Sequence, residues 1–355
     1  MRFRVRILWM PLLVISLLVF RCTHAQVADE KNTSITYTNP VFEPVLADPS
    51  VLRGDDGWFY AYGTMDNWGD GKGAHLVPIL RSPDLVKWTY LKDAFLEKPG
   101  WKKEGGLWAP DVVKVKNRYL MYYAYSTWGD PNPGIGIAMS EKPEGPFSGG
   151  GKLFSSDDVQ VPNSIDPHFF EDQGDNYLFW GSFSAKPEAG TYALLLSEDG
   201  IRVEDLTKKV KIAAGDFEAV MIHKKGQYYY FIGSKGSCCE GADSKYQLWM
   251  GRSKNVLGPY VDRQGKPLTE SGAGSLLLKG NEKIVGPGHN SRILTDEEGV
   301  DWLLYHAIDP QRPYIQGKVN RRVLMLDRLH WLDEWPKILK DSPTLTPQER
   351  PVFRQ

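Results

Sequence analysis

The chain has 355 residues, of which 41% are hydrophobic and 25% are charged. This composition is typical of a globular protein and excludes disordered and fibrous chains. The formal net charge is −1, so the chain lacks the positive excess that attracts a phosphate backbone, and we expect no nucleic acid partner. Its 12 Trp, 17 Tyr and 14 Phe exceed what a core of this size requires, so we expect some aromatic side chains to face a ligand.

The N-terminal segment has the features of an export signal. Three arginines lie within the first six residues, and an apolar run follows from Ile7 to Phe20. This run is shorter than the roughly 20 residues that span a membrane, and Ala25 is a small residue at a suitable cleavage position. We therefore expect a signal peptide over residues 1–25 and a single domain over residues 26–355.

The location of the mature protein follows from this signal. Cys22 admits a second interpretation, a lipid anchor, although the preceding Arg21 matches poorly the small residue expected there. No later segment is long and apolar enough to span a bilayer. We therefore expect an exported monomer that is periplasmic, secreted or held at the outer surface.

Two cysteines, Cys238 and Cys239, remain after signal removal. Because they are adjacent, they exclude a framework of disulfides across the fold. Two states stay open for the pair: buried thiols in a tight turn, or a vicinal disulfide.

The rest of the chain contains five copies of one pattern. Each copy has a polar residue, a short apolar strand, a turn with Gly, Asn or Asp, and an aromatic-rich strand, which is typical of a β-hairpin. A second hairpin often follows, so four strands form a unit. In chain order, the polar residues that lead the copies are Asp48, Asp111, Asp166, Glu218 and His289.

Five four-stranded units at blade-sized spacing predict an all-β, five-bladed β-propeller. A β-sandwich could use the same hairpins, but it has no common point toward which the leading residues converge. In a propeller the innermost strand of every blade borders the central channel. The five leading residues are therefore predicted to face one well.

Four carboxylates near one axis repel one another and resist desolvation, so their convergence indicates function rather than stability. Paired carboxylates hydrolyse glycosidic bonds, one as an acid and the other as a base or nucleophile. Taken singly, the leading residues also have structural interpretations that involve no catalysis. Asp48 and Asp166 precede prolines and suit turns, Glu218 suits a solvated strand end, and His289 suits a core histidine. Asp111 is predicted to be structural, bonding backbone at a blade junction.

The segments around the leading residues resemble the family 43 glycoside hydrolases, and among them the arabinanases that cut α-1,5-linked arabinan. The likeness extends from about Asn39 to Pro336. Its most specific segments are 47–50, 107–111, 163–167, 217–219, 236–241 with 251–253, and 286–291. Any one of these segments is a weak signal, but their order and spacing together are specific.

The resemblance implies an inverting hydrolase with three acidic residues in named roles. Asp48 would be the general base and Glu218 the general acid. Asp166 would adjust the pKa of the acid and hold the substrate. Inversion requires space for a water molecule, so the acid and base carboxyl groups should lie roughly 6.5–9.5 Å apart.

The resemblance also implies binding residues and a metal. His289 would lie beside a calcium ion in the channel, with much of the ion's shell supplied by water. One imidazole plus water is an unusual set of ligands for a hard cation. Trp108 would be a stacking platform for sugar, and Asn163 and Ser164 would bind substrate. No organic cofactor is expected, and the expected partner is arabinan or arabino-oligosaccharides.

Two other functions remain open. Exo-acting α-L-arabinofuranosidases and β-xylosidases share the three carboxylates, and the loops 64–75 and 127–134 do not settle whether the groove is open at both ends. A non-catalytic carbohydrate-binding propeller would keep the aromatic platforms but would not need three convergent carboxylates. The double cysteine favours arabinan as the substrate.

Overall fold

The computed structural model describes residues 36–354. The predicted signal peptide over residues 1–25 and the possible lipid anchor at Cys22 lie outside this range. Among the described residues, no helix is long and apolar enough to cross a membrane. Five antiparallel sheets contain most of the described strands.

The five sheets follow one another along the sequence, and within each of the first four the strand order is the chain order. The first blade comprises Ser50–Arg53, Phe59–Tyr62, Pro78–Ser82 and Thr89–Asp93. The second comprises Gly106–Val115, Arg118–Ser126, Gly134–Ser140 and Ser148–Ser155. The third comprises His168–Asp172, Asp175–Trp180, Gly190–Leu196 and Val210–Ala214. The fourth comprises Glu218–Lys225, Tyr228–Lys235, Gln247–Ser253 and Ser275–Leu278.

The fifth blade comprises Val285–Gly288, Leu294–Thr295, Asp301–Ile308, Arg322–Leu332 and Trp335–Lys337. Two small ribbons complete the strands: Thr36–Tyr37 with Gln348–Glu349, and Asp66–Asn67 with Ala74–His75. The described helices are short: Ser156–Val159 is α-helical, and Leu206–Lys208, Gly241–Asp243, Gln316–Lys318 and Leu339–Asp341 are 3₁₀ turns.

The hydrophobic core is divided into five clusters, and each cluster lies between two consecutive blades. The cluster with Tyr62 and Leu107 joins the first and second blades. The cluster with Leu304 and Val51 joins the fifth blade back to the first, so the ring of blades is closed. This arrangement confirms the predicted five-bladed propeller.

Closure of the ring brings residues 37–46 against the fifth blade. The Val41 N–H donates to Leu324 O at 2.9 Å, and the Leu46 N–H donates to Arg322 O at 2.9 Å. The Tyr37 hydroxyl also donates to Leu326 O at 2.8 Å. The first leading residue, Asp48, therefore lies beside the fifth blade, although more than 250 residues separate the two in sequence.

One residue in or next to each blade's innermost strand has a left-handed backbone. These residues are Asp48 (φ 53°), Ala109 (φ 46°), Asp166 (φ 57°), Ala219 (φ 54°) and His289 (φ 45°). Residues other than glycine rarely adopt this backbone conformation. It costs on the order of 1–3 kcal/mol and persists only where the surrounding structure enforces it. The strained position thus recurs in every blade at the channel.

This recurrence corrects the predicted equivalence of the copies. The counterpart of Asp48 in the second blade is Ala109, and Asp111 lies two residues further along the strand. In the fifth copy the innermost strand ends just before His289 and does not begin there. Asn290 and Ser291 follow, and their side chains bond local carbonyl groups, which competes with a strand ladder.

Candidate active site

The predicted catalytic residues line one cavity of about 450 Å³ at the centre of the ring. Asp48, Asp166, Glu218 and His289 come from the first, third, fourth and fifth blades and all contribute to its wall. Their side chains are largely buried. The predicted convergence on one well is therefore observed for these four residues, whereas Asp111 does not line the cavity.

Asp48 is surrounded by hydrogen-bond donors. Arg322 Nη1 lies 3.0 Å from Oδ1 and 3.1 Å from Oδ2. The Thr64 hydroxyl donates to Oδ2 at 2.5 Å, and His289 Nδ1 lies 3.2 Å from Oδ1. The carboxyl group is thus held in one orientation from three sides.

This environment keeps Asp48 ionised. Burial on its own would raise the pKa of the carboxyl group, but the positive charges of Arg322 and His289 oppose burial and hold the pKa well below its ordinary value. A carboxylate whose pKa is depressed stays ionised into the acid range, so it is suited to take a proton and not to give one.

Glu218 has the opposite environment. The Ser182 hydroxyl donates to Oε2 at 2.6 Å and the Tyr246 hydroxyl donates to Oε1 at 2.5 Å, and neither donor is charged. Burial, together with the negative charge of Asp166, raises the pKa of Glu218 to about 8. Glu218 therefore retains a proton near neutral pH, which is the state that a general acid needs.

Asp166 interacts electrostatically with both of these carboxyl groups. Its Oδ2 accepts the N–H of Ala219 at 3.1 Å, which ties it to the residue next to Glu218. Burial and the charge of Asp48 raise the pKa of Asp166, while His289 opposes this rise. Two close carboxyl groups disfavour double ionisation, so Asp166 and Glu218 titrate as a pair.

The pKa values of the two histidines beside Asp48 are shifted in opposite directions. Burial disfavours protonation of His289, but Asp48, Asp166 and Glu218 outweigh burial and raise its pKa. His306 is fully buried, and burial lowers its pKa to about 4. Neutral His306 accepts the Asp48 N–H at Nδ1 with a 3.1 Å bond, and its ring stacks on Tyr246 at a centroid distance of 5.7 Å.

Side chains at the ends of the second strands support the left-handed positions of neighbouring blades. Thr64 Oγ1 accepts the Ala109 N–H at 2.8 Å, and Ser234 Oγ accepts the His289 N–H at 2.9 Å. His306 does the same for Asp48. A polar side chain at the end of one blade therefore fixes the strained backbone of the next blade, including the blade pair that closes the ring.

Asp111 lies in a separate buried cluster that joins four blades. Its carboxyl group pairs with Arg292 of the fifth blade and accepts the Phe169 N–H of the third at 2.6 Å. Ser50 of the first blade donates to it at 3.3 Å. Burial raises the pKa of Asp111, but Arg292 and His168 outweigh burial and lower it. These contacts are those of a structural residue, as the sequence indicated.

Two of the three predicted substrate-binding residues line the cavity, and the third does not. Trp108 lines the cavity and lies 5.8 Å from the Trp128 ring, centroid to centroid. Asn163 also lines the cavity, and its amide donates to Phe183 O at 3.1 Å. Ser164 is fully buried outside the cavity wall, and its hydroxyl donates to Val161 O and accepts from the Trp180 indole. This position does not offer the Ser164 hydroxyl to a ligand.

The adjacent cysteines form a disulfide. Cys238 and Cys239 are bonded to each other and line the cavity. Of the two states that the sequence left open, the structure contains the vicinal disulfide.

The residues around His289 do not build a protein cage for calcium. Calcium takes six to eight oxygen ligands. Between residues 36 and 354, no group of three or more His, Cys, Asp or Glu side chains is placed to hold a metal ion. An ion beside His289 would therefore depend on water for most of its ligands, and calcium stays a prediction.

Sequence reasoning missed several residues of the site. Arg322 bonds Asp48 across 274 positions, and no local pattern points to that partner. Asp66, on the short ribbon of the first blade, lies 3.5 Å from Arg322 Nη2. Thr64 and Ser182 had a visible signal, since each follows a glycine at the end of an aromatic strand.

Comparisons with known proteins agree with this geometry. The sequence model of the glycosyl hydrolases family 43 matches residues 37–336. An extracellular exo-α-(1→5)-L-arabinofuranosidase of Cellvibrio japonicus is 33% identical, with 82% of this chain and 85% of that protein covered. An extracellular endo-α-(1→5)-L-arabinanase of Bacillus subtilis is 28% identical, with 82% and 87% covered.

The fold matches solved structures as well. The structure of a Cellvibrio cellulosa α-L-arabinanase complexed with arabinohexaose is similar with a TM-score of 0.71 and 30% identity, and the match covers 84% of this chain and 96% of that one. The chain belongs to glycoside hydrolase family 43 and is a glycoside hydrolase.

Proposed function

We propose that this enzyme is an exported hydrolase of α-1,5-linked arabinan that inverts the anomeric configuration. The observation that carries the proposal is the contrast between the surroundings of two carboxyl groups in one cavity. The charged Arg322 lies 3.0 Å from the Asp48 carboxylate, whereas Glu218 is bonded by the uncharged hydroxyl groups of Ser182 and Tyr246. The substrate class comes from the relatives, which are described as acting on α-(1→5)-L-arabinan linkages.

In the proposed mechanism, Glu218 donates its proton to the glycosidic oxygen as the bond from that oxygen to the anomeric carbon breaks. Asp48 takes a proton from a water molecule while the water oxygen bonds the anomeric carbon from the opposite face. Arg322 and Thr64 keep the Asp48 carboxylate ionised and oriented. Asp166 keeps Glu218 protonated through its negative charge.

The aromatic residues at the rim support a polysaccharide substrate. Trp108 and Trp128 form an adjacent pair on the cavity wall. Aromatic faces bind the C–H faces of sugar rings, while carboxyl, amide and hydroxyl groups deeper in the cavity bind the sugar hydroxyls.

Endo action is supported by one relative and exo action by another. The Bacillus subtilis protein is described as an endo-arabinanase, whereas the Cellvibrio japonicus protein, with the higher identity, is described as an exo-acting arabinofuranosidase. We propose endo action, with exo action as the alternative. Oligosaccharide products support the first, and release of arabinose alone supports the second.

The experiment that tests the proposed function is a digest of linear arabinan, branched arabinan and xylan by the purified wild-type enzyme. Product size is analysed by chromatography and anomeric configuration by time-resolved proton NMR. We expect linear arabinan to be cut fastest and the newly formed reducing ends to appear first as the β-anomer. Hydrolysis of xylan in preference to arabinan, or first appearance of the α-anomer, would contradict the proposal.

The proposal includes a calcium ion held by His289 and water. The support is electrostatic, because the carboxyl groups of Asp48 and Asp166 face the same cavity and would attract a cation. No step of the mechanism depends on the ion. Metal analysis of the purified protein and calcium titration of a His289→Ala variant test this point, and equal calcium content in both proteins would contradict the assignment.

Export and monomeric state are also part of the proposal. The relatives named above are described as extracellular. N-terminal sequencing of the protein exported by its host should give Gln26 as the first residue, and light scattering should give the mass of one chain. A lipid on Cys22 would show instead that the protein is anchored.

A further inference from the structure

The Tyr246 side chain lies in the wall of the active cavity and contacts the general acid. It is buried, and its hydroxyl donates to Glu218 Oε1 at 2.5 Å. The other carboxyl oxygen, Oε2, accepts the Ser182 hydroxyl at 2.6 Å. Each oxygen of Glu218 is therefore held by one uncharged donor, so the carboxyl group cannot rotate without breaking a hydrogen bond.

The ring of Tyr246 is held in place by the fifth blade. It stacks on the His306 ring at a centroid distance of 5.7 Å and an interplanar angle of 10°. The backbone of Gly288 also packs against it, since a Cβ atom at residue 288 would lie only 2.0 Å from a ring carbon of Tyr246. Because His306 accepts the Asp48 N–H at 3.1 Å, this stack connects the acid to the backbone of the base.

Tyr246 remains a hydrogen-bond donor throughout the proposed reaction. Burial and the nearby charge of Glu218 raise the pKa of its hydroxyl well above the ordinary value, so the tyrosine keeps its proton. When Glu218 gives its proton to the glycosidic oxygen, its carboxyl group becomes a carboxylate. A hydrogen bond to an ionised acceptor is about twice as strong as one between neutral groups. The bond from Tyr246 therefore strengthens as the proton leaves Glu218, which stabilises the transition state more than the bound substrate.

We propose that Tyr246 is a positioning residue of the general acid, whose hydroxyl fixes Glu218 Oε1 and stabilises the carboxylate that forms when the Glu218 proton moves to the glycosidic oxygen. The tyrosine proton stays on the tyrosine, so Glu218 is the source of the proton that the leaving group receives. This inference rests on the proposed function, in which Glu218 is the acid. It implies that the Tyr246 hydroxyl is needed only when the leaving group must be protonated.

The test is Tyr246→Phe, which removes the hydroxyl and keeps the ring that stacks on His306. The matched control is Tyr305→Phe. Tyr305 is buried as well, and its hydroxyl also donates at 2.5 Å to a buried carboxyl group, that of Asp327, but it does not line the active cavity. For each protein, kcat and KM are measured on α-1,5-arabinohexaose and on a nitrophenyl arabino-oligosaccharide whose leaving group needs no proton. Glu218→Gln is measured beside them.

In Tyr246→Phe, kcat on the hexaose is expected to fall by roughly 10- to 150-fold with KM unchanged, which is the loss that follows from removing one hydrogen bond to a charged group in the transition state. The rate on the nitrophenyl substrate should stay close to that of the wild type, which also shows that the variant is folded and that Asp48 still activates water. Tyr305→Phe should match the wild type on both substrates.

Three results would overturn the role of Tyr246. They are an equal loss on both substrates in Tyr246→Phe, a wild-type kcat on the hexaose in Tyr246→Phe, or the same substrate-dependent loss in Tyr305→Phe. Each leaves the proposed function intact if Glu218→Gln is inactive on the hexaose. Wild-type turnover of the hexaose by Glu218→Gln would instead remove the acid assignment, and this inference with it.

Discussion

The pairing of Arg322 with Asp48 gives the sharpest prediction about the general base. Arg322→Met removes the guanidinium group that lies 3.0 and 3.1 Å from the two carboxylate oxygens and keeps a side chain of similar length. An opposite charge at this range lowers a carboxyl pKa by about 1–3 units. The pKa of Asp48 should therefore rise by about this amount, since burial then acts with less opposition.

The assay is the pH dependence of kcat/KM on linear arabinan. Because the base must be ionised, activity is lost as the pH falls through the pKa of Asp48. The acid limb of the profile should move to higher pH by about 1–3 units in Arg322→Met. An unchanged acid limb would refute the assignment of Asp48 as a base that Arg322 keeps ionised.

Stability gives an independent measure of the same contact. The folded-state pKa of Asp48 is depressed, so its contribution to stability is present above the unfolded pKa and is lost as the pH falls through the folded pKa. The stability difference between wild type and Arg322→Met should therefore be largest at neutral pH and smaller in acid. Arg321→Met is the matched control, because Arg321 is equally buried but pairs with Glu43 outside the cavity wall. It should lower stability without moving the acid limb.

Two further predictions concern the other buried acids, and a third concerns the hydroxyl group that bonds Asp48. Asp166→Asn removes a negative charge that raises the pKa of Glu218, so the alkaline limb of the kcat/KM profile should move to lower pH; an unmoved limb would show that Asp166 does not tune the acid. Asp111→Ala breaks the ion pair in the buried cluster that joins four blades. Denaturant titration should then show a loss of about 3–5 kcal/mol in unfolding free energy. A loss of rate at wild-type stability would place Asp111 in catalysis instead. Thr64→Val should slow hydrolysis by roughly 10- to 150-fold, since a hydrogen bond to a charged group contributes about 1.5–3 kcal/mol. Thr64→Ser should restore the rate because it keeps the hydroxyl that bonds Asp48.

The fold could be predicted from the sequence because each blade is built from local hairpins. A polar residue, an apolar strand and an aromatic strand recur five times, and short turns such as the one at Gly226 fix each pairing. The left-handed positions at Ala109 and Ala219 could not be predicted, because alanine does not favour that backbone. They depend on contacts between blades, such as Thr64 with Ala109.

The site could be predicted in part for the same reason. Asp48, Asp166 and Glu218 are marked by their place in the repeat, but Arg322 is marked by nothing local, since the strand that it begins contacts Asp48 only after the ring closes. Ser164 illustrates the opposite error. Its place in a segment that resembles the family predicts substrate binding, but in the structure its hydroxyl bonds Val161 and Trp180.

The central claim is that Asp48 acts as the base and Glu218 as the acid in one hydrolytic step, and their variants should separate on substrates with different leaving groups. The measurement compares Asp48→Asn and Glu218→Gln on arabino-oligosaccharides and on an aryl arabinoside whose leaving group needs no proton. Glu218→Gln is expected to lose activity on the oligosaccharides and to regain much of it on the aryl substrate, whereas Asp48→Asn should remain inactive on both because water activation is still missing. Recovery of Asp48→Asn on the aryl substrate, or wild-type oligosaccharide turnover by Glu218→Gln, would contradict the assignment.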